Sequence, residues 1–188
     1  DHTVQRGAPT SQPWFQDWTH PLGTTNAGHD LLGLLMRGTQ QTLKVVFTVS
    51  VLATTIAALW GAVAGFYRGW VDAIMMRIVD VILVVPLLVL VVAIAGNFRG
   101  GTTWYAVALI IAAVGWASTS RVVRGVVLSL REQEFIEAAR AVGASDARIV
   151  LRHLLPNVTG PIIVAATLFI AITALTESAL SFLGFGIQ

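Results

Sequence analysis

The chain has 188 residues, of which 55% are hydrophobic and only 12% charged, and its formal net charge is +2. A mean hydropathy of +0.75 with so few charges excludes an ordinary soluble domain and places the chain in a bilayer. The pI near 9.7 does not indicate nucleic acid, because the bases stand singly without a basic run, and the absence of cysteine removes disulfides, thiolate metal sites and cysteine nucleophiles.

The chain opens DHTVQRGAPT, with neither an initiator Met nor a charged stretch ahead of an apolar core. No signal peptide is visible, and the numbering is expected to start inside a longer protein. Residues 1–40 read as an extracytoplasmic loop rich in Pro, Trp and small polar residues (PTSQPWFQDWTHPLGTTNAGHD). At its end Leu31, Leu34, Leu35 and Gly38 recur at helical spacing, which predicts a short amphipathic helix lying in the outer interface before the chain turns inward. Trp14, Trp18 and Trp104 suit an aromatic belt at the membrane surface.

Residues 41–188 read as a membrane domain. A hydrocarbon core of about 30 Å needs roughly 20 apolar residues in a helix, and four stretches qualify. The spans at 45–66 and 101–120 carry no charge. That at 81–98 contains Pro86, which predicts a kink near one end, and the fourth covers 158–176. All must be helices, because lipid offers no partner to free backbone groups. Ala58, Gly61, Ala62, Gly65 and Gly69 have the spacing of closely packed helix pairs. Two acids stand at span ends, where a cavity role or a structural brace is possible. Asp80 is expected to pair with Arg77, three residues earlier, whereas for Glu177 brace and cavity readings stand side by side.

Between the last two spans lies a charged hairpin, residues 131–157. Phe135, Ala138, Ala139 and Val142 form one helical stripe, with Glu134 and Glu137 off it. Gly143 sits where a left-handed residue would close a first helix, and Ser145 can cap a second whose first turn holds Asp146. The second helix has Ala147, Val150, Leu151 and Leu154 on one face, and Pro156 is expected to end it. Glu137 can pair with Arg140 for about 0.2 to 0.5 kcal/mol. His153 has no second His or Cys at metal spacing, so it reads as a packing or hydrogen-bonding residue. Arg68, Arg77, Arg121, Arg124, Arg131, Arg140, Arg148 and Arg152 fall on the hairpin side, and only Arg6, Arg37, Lys44 and Arg99 on the other, which makes the hairpin cytoplasmic and residues 1–40 external.

Glu137, Ala138, Ala139 and Gly143, followed by Leu155 and Pro156, resemble the EAA loop of ATP-binding-cassette importer permeases, in which a Gly stands six positions after the Glu and a Leu-Pro pair closes the loop. His153, where the general pattern has Ile, is similar to the dipeptide, oligopeptide and nickel branch. HPLGTTNAGHDLL (20–32) and ESALSFLGFGIQ (177–188) also resemble segments of that branch, departing from it at Thr25, Asn26 and His29. The resemblance implies an all-α membrane protein, a multi-span helix bundle of the type I importer permease kind with a cytoplasmic helix-turn-helix coupling loop. It implies six spans, one before the leader and one after Gln188. It assigns Glu137, Ala138, Ala139, Gly143, Ala144, Asp146, His153, Leu155 and Pro156 to the ATPase-coupling interface. It further implies four partners in the cytoplasmic membrane: a second, B-type permease subunit, two cytosolic ATPases and an external substrate-binding protein. ATP and Mg would be held by the ATPases and no cofactor by this subunit, and the cargo would be di- or oligopeptides moved by alternating access.

No catalytic residue set is visible: there is no nucleophile arrangement and no GxxxxGK[ST] loop, and the Gly100-Gly101 pair lies in an outer loop. The chain is expected to be a transport subunit and not an enzyme. A self-contained channel or ion-coupled carrier is the alternative, although the centres of all four spans lack charge. A purely structural membrane subunit would leave the capped hairpin without a purpose.

Overall fold

In the computed structural model, which describes residues 11–15, 18–96 and 103–184, the chain is helical, with no strand among the described residues. The readings on Arg6, Arg99, the Gly100-Gly101 pair, the end of the second predicted span (97–98), the start of the third (101–102) and the last four residues lie outside those residues. Two compact units are formed, 1–44 and 45–188. In the first, the loop before the helix is closed by a bridge between Thr24 and Asp30. Gln12 donates its backbone N–H to Thr24 Oγ1 at 3.0 Å, and the Ser11 hydroxyl donates to Asn26 Oδ1 at 2.6 Å.

Helix α1 (Leu31–Tyr67) starts where the Asp30 carboxylate accepts the Leu32 N–H at 3.2 Å, an N-cap that satisfies one of the free donors of the first turn. It then runs unbroken for 37 residues. The separate interfacial helix expected before the first span is therefore corrected: between Thr39 and Lys44 no proline interrupts the chain, and the lone Gly38 costs a helix only about 1 kcal/mol. Arg68 and Gly69, at φ of 56° and 59°, turn the chain into α2 (Gly69–Val84). Next comes α3 (Leu87–Ala95), bent by 79° from α2. The single kinked span expected at 81–98 is thus two helices. Val85 is extended, at φ −92° and ψ 128°, because the ring of Pro86 disfavours a helical conformation in the residue before it.

Helix α4 (Trp104–Leu130) takes in the third predicted span from Trp104 onward and extends ten residues past its expected end at Ser120, since nothing in the following segment stops a helix. Short helices α5 (Glu134–Ala141), α6 (Asp146–Ile149) and α7 (Leu155–Asn157) make the hairpin, and α8 (Thr159–Phe182) holds the fourth span. Among the described residues, α1, α4 and α8 are long and apolar enough to cross a membrane, and the bent pair α2 and α3 is a fourth crossing if it counts as one span.

Two hydrophobic cores hold the second unit. The first joins Val49, Ala53 and Ala57 of α1 to Val79 of α2, Val91 of α3, Ala108 and Ile111 of α4, and Phe169 and Leu180 of α8. Trp60 and Trp116 meet there with ring centres 5.0 Å apart. The second core gathers Ala62 and Phe66 of α1, Val123 and Val127 of α4, Ile136 and Ala139 of α5, and Ile149 and Leu154 beyond the turn. This second cluster seats the hairpin.

Candidate functional site

Helix α5 begins after the extended Gln133 with Glu134 and Glu137 in its first turn, where the positive end of the helix dipole favours acids. It ends at Gly143, whose φ is 78°. The Gly143 N–H donates to the Arg140 carbonyl at 2.9 Å and the Ala144 N–H to that of Ala139 at 3.0 Å, the pair of bonds that defines a Schellman C-cap. Ser145 occupies the N-cap position of α6 with extended backbone, but its hydroxyl makes no cap hydrogen bond. After α6 the chain widens into a π-helical turn, Val150–Leu154, closed by the Leu155 N–H on the Val150 carbonyl. Pro156 therefore does not stop the second helix as expected. The turn ahead of it loosens to accommodate the missing N–H, and helix resumes through Asn157. The Asn157 side-chain amide donates to the His153 carbonyl at 2.7 Å.

The face that α5 buries differs from the expected stripe. Ile136 and Ala139 point into the second core, while Phe135, Ala138 and Val142 are exposed, Val142 by 84%. Beyond the turn Ile149, Val150 and Leu154 are buried, and Leu151 is 57% exposed. The local period alone did not distinguish two neighbouring stripes of apolar residues, and tertiary contact with α1 and α4 decides between them. Of the motif residues, Glu137, Ala138, Gly143, Asp146 and Pro156 are exposed, Ala144, His153 and Leu155 are half-buried, and Ala139 is buried. The motif thus splits into an outward set and an inward anchor.

The hairpin is fastened from behind by residues that no local pattern singled out. Arg140 lies over the Phe66 ring, 5.5 Å from its centre, and the alternative pairing of Glu137 with Arg140 is absent among the described residues. Arg131 lies 5.9 Å from the same ring and donates to the Phe66 carbonyl. Burial, reinforced by Arg68 and Arg140, lowers the Arg131 guanidinium from its ordinary value, yet an arginine stays charged throughout. Arg68 pairs with Glu132. Asp72 in the first turn of α2 takes both arms of Arg124 at 2.5 Å. Asp80 is held by Arg121 of α4 and not by Arg77, because the two helices lie side by side there.

Glu177 is 8% exposed and accepts the Ser181 hydroxyl at 3.0 Å. Its neighbours on the buried face of α8 are Phe169, Thr173, Thr176 and Leu180. Among the described residues no group of three or more His, Asp or Glu could hold a metal ion.

A family described as "Binding-protein-dependent transport system inner membrane component" matches residues 57–188. The chain is 43% identical over 169 residues to the oligopeptide transport system permease protein OppC of Mycobacterium tuberculosis (strain ATCC 25618 / H37Rv), covering 90% of this chain and 58% of that protein. To the OppC of Bacillus subtilis (strain 168) it is 34% identical over 179 residues, 95% of this chain and 56% of the relative. To the dipeptide transport system permease protein DppC of the same organism it is 36% identical over 187 residues, 100% and 58%. The chain therefore spans somewhat more than half the length of the curated relatives it matches.

Proposed function

Since the chain belongs to the binding-protein-dependent transport system inner membrane component family, we infer that it is a permease subunit of an ATP-driven importer of di- or oligopeptides, with its hairpin as the dock for a cytosolic ATPase. The peptide class is supported by the relatives, which are oligopeptide and dipeptide permease proteins. The observation that carries the docking role is the split of the hairpin: Ile136, Ala139, Ile149 and Leu154 tie it to α1 and α4, while Glu137, Ala138, Val142 and Leu151 face outward. A folded unit that shows apolar residues beside an unpaired carboxylate has the character of an interface centre and rim.

A second permease subunit completes the pathway, two ATPases sit on the two hairpins, and an external binding protein delivers the peptide. ATP closes the ATPase pair and draws the hairpins with it, so the permease is a two-state element biased by ATP on the cytoplasmic face and by the loaded binding protein outside. ATP and Mg belong to the ATPases, and this subunit contributes no catalytic group.

Glu137 tests the dock. Removing one member of a desolvated charge pair at an interface costs about 2 to 5 kcal/mol, at least about tenfold in affinity. A merely solvated acid would cost less than about 0.5 kcal/mol. Glu137→Ala is expected to lose the ATPase during purification of the complex while Glu134→Ala keeps it. Equal retention in the two variants would remove the docking role.

A further inference from the structure

The end of α1 is held by the hairpin in a way that packing alone does not require. Phe66, one residue from the helix end, is 3% exposed and shared by two guanidiniums, Arg131 at 5.9 Å and Arg140 at 5.5 Å from its centre. Arg131 also takes the Phe66 carbonyl, one of the terminal carbonyls that a helix leaves without an internal donor. Two residues on, Arg68 pairs with Glu132. Residues 131, 132 and 140 thus grip the last turn of α1 and the residue that follows it. Arg140 lies inside the EAARAVG motif, yet its guanidinium faces α1 of the same chain.

We propose that Phe66 is a positioning residue for transport: its ring, held by both Arg131 and Arg140, locks the hairpin to α1 so that a displacement of the hairpin moves that span with it. The proposal rests on the reading of the hairpin as the ATPase dock, but the clamp itself is a property of this chain. The π face matters, because a guanidinium is attracted by the negative face of an aromatic ring and not by an aliphatic side chain.

The test uses the full complex with its ATPases in lipid nanodiscs. The chain has no cysteine, so nitroxide labels at Ser145→Cys and Thr55→Cys report on hairpin and α1. Both positions are exposed. In the parent, addition of ATP with vanadate is expected to leave the distribution of label distances narrow and unshifted, since the two parts travel together. Phe66→Leu keeps an apolar side chain and loses the ring: the distribution should broaden and shift with nucleotide, and tri-alanine imported per ATP hydrolysed should fall by about fivefold or more, the size of a modest coupling between sites. Phe66→Trp should restore both. Should Phe66→Leu insert poorly, Arg140→Gln with Arg140→Lys as the charge-keeping control makes the same comparison from the exposed partner. A Phe66→Leu distribution that superimposes on the parent's, or a Phe66→Trp complex as loose as Phe66→Leu, overturns the clamp. ATPase retention should be equal across the Phe66 variants. A parent that retains no ATPase defeats the docking reading instead, and the label distances in the permease alone still test the clamp.

Discussion

At the residue scale, two glycines illustrate two different reasons for the same residue type. At Gly143 an added Cβ would meet nothing within 4 Å, and the constraint is the φ of 78°, a region that costs an L-residue roughly 1 to 2 kcal/mol. Gly143→Val is therefore expected to lower stability by that amount and misdirect α6, while Gly143→Asn, which visits the left-handed region more readily, should cost less. Thermal unfolding of the purified permease and cargo-stimulated ATP turnover of the complex measure the two effects. Parental turnover in Gly143→Val would mean that the turn does not set the direction of the second helix. At Gly61 the backbone is unconstrained, but a Cβ would lie 2.5 Å from the Ser120 carbonyl oxygen and 2.8 Å from Val123 Cβ. Since a helix backbone cannot yield locally, α1 and α4 would have to separate. Gly61→Ala should destabilise by about 1 to 3 kcal/mol, whereas Gly38→Ala, with open space around it, should be neutral or stabilise by up to about 1 kcal/mol. Equal melting temperatures for the two variants would contradict the close approach.

At the element scale, α2 is fastened to α4 by a pair of different quality from an exposed ion pair. Arg124 reaches Asp72 through two parallel hydrogen bonds, with Asp72 largely buried, and such bidentate contacts are among the stronger ones. Asp72→Ala leaves a partly desolvated guanidinium and should cost about 1 to 3 kcal/mol. Asp80→Ala, whose bond to Arg121 is more exposed, should cost no more than about 1 kcal/mol. Chemical unfolding of the two variants in detergent gives the comparison, and an Asp80 effect as large as that of Asp72 would reverse the ranking. These partners mark the limit of what the sequence discloses. The spans, the left-handed Gly143 and the hairpin's helix-turn-helix order follow from local pattern, because composition and capping act within a few residues. Asp72 with Arg124 and Arg140 with Phe66 join positions 52 and 74 residues apart, and no local period encodes that. The same holds for the buried face of α5: Phe135, Ala138 and Val142 match a helical stripe as well as Ile136 and Ala139 do, and only α1 and α4 decide which stripe turns inward. The break at Pro86 was legible as a kink, but its 79° angle depends on how α3 packs against α4 and α8.

At the scale of the whole molecule, the division of the apolar interior predicts how the chain opens. One core binds the bilayer-crossing helices and the other binds the hairpin to the adjoining ends of α1 and α4, so loss of the second need not disturb the first. Cooperative units of this kind open with their own free energies and are read separately by amide exchange. Without ATPases, amides of α5 and α6 should exchange faster than those in the first core's part of α4, residues 107–117. A ligand that binds only the closed form stabilises it by an amount that grows with the logarithm of its free concentration over its Kd: at 100 times Kd the gain is about 2.7 kcal/mol, which slows exchange through the affected opening by roughly 100-fold. Saturating ATPase should therefore protect the hairpin strongly and leave residues 107–117 at their own rate, since their opening does not undo the docked face. The Phe66 clamp adds a finer expectation: protection should extend into the last turn of α1, which moves with the hairpin, and should stop at α5 in the Phe66→Leu complex. Protection confined to residues outside 131–157 would place the ATPase elsewhere on the subunit and leave the exposed half of the hairpin without its assigned role.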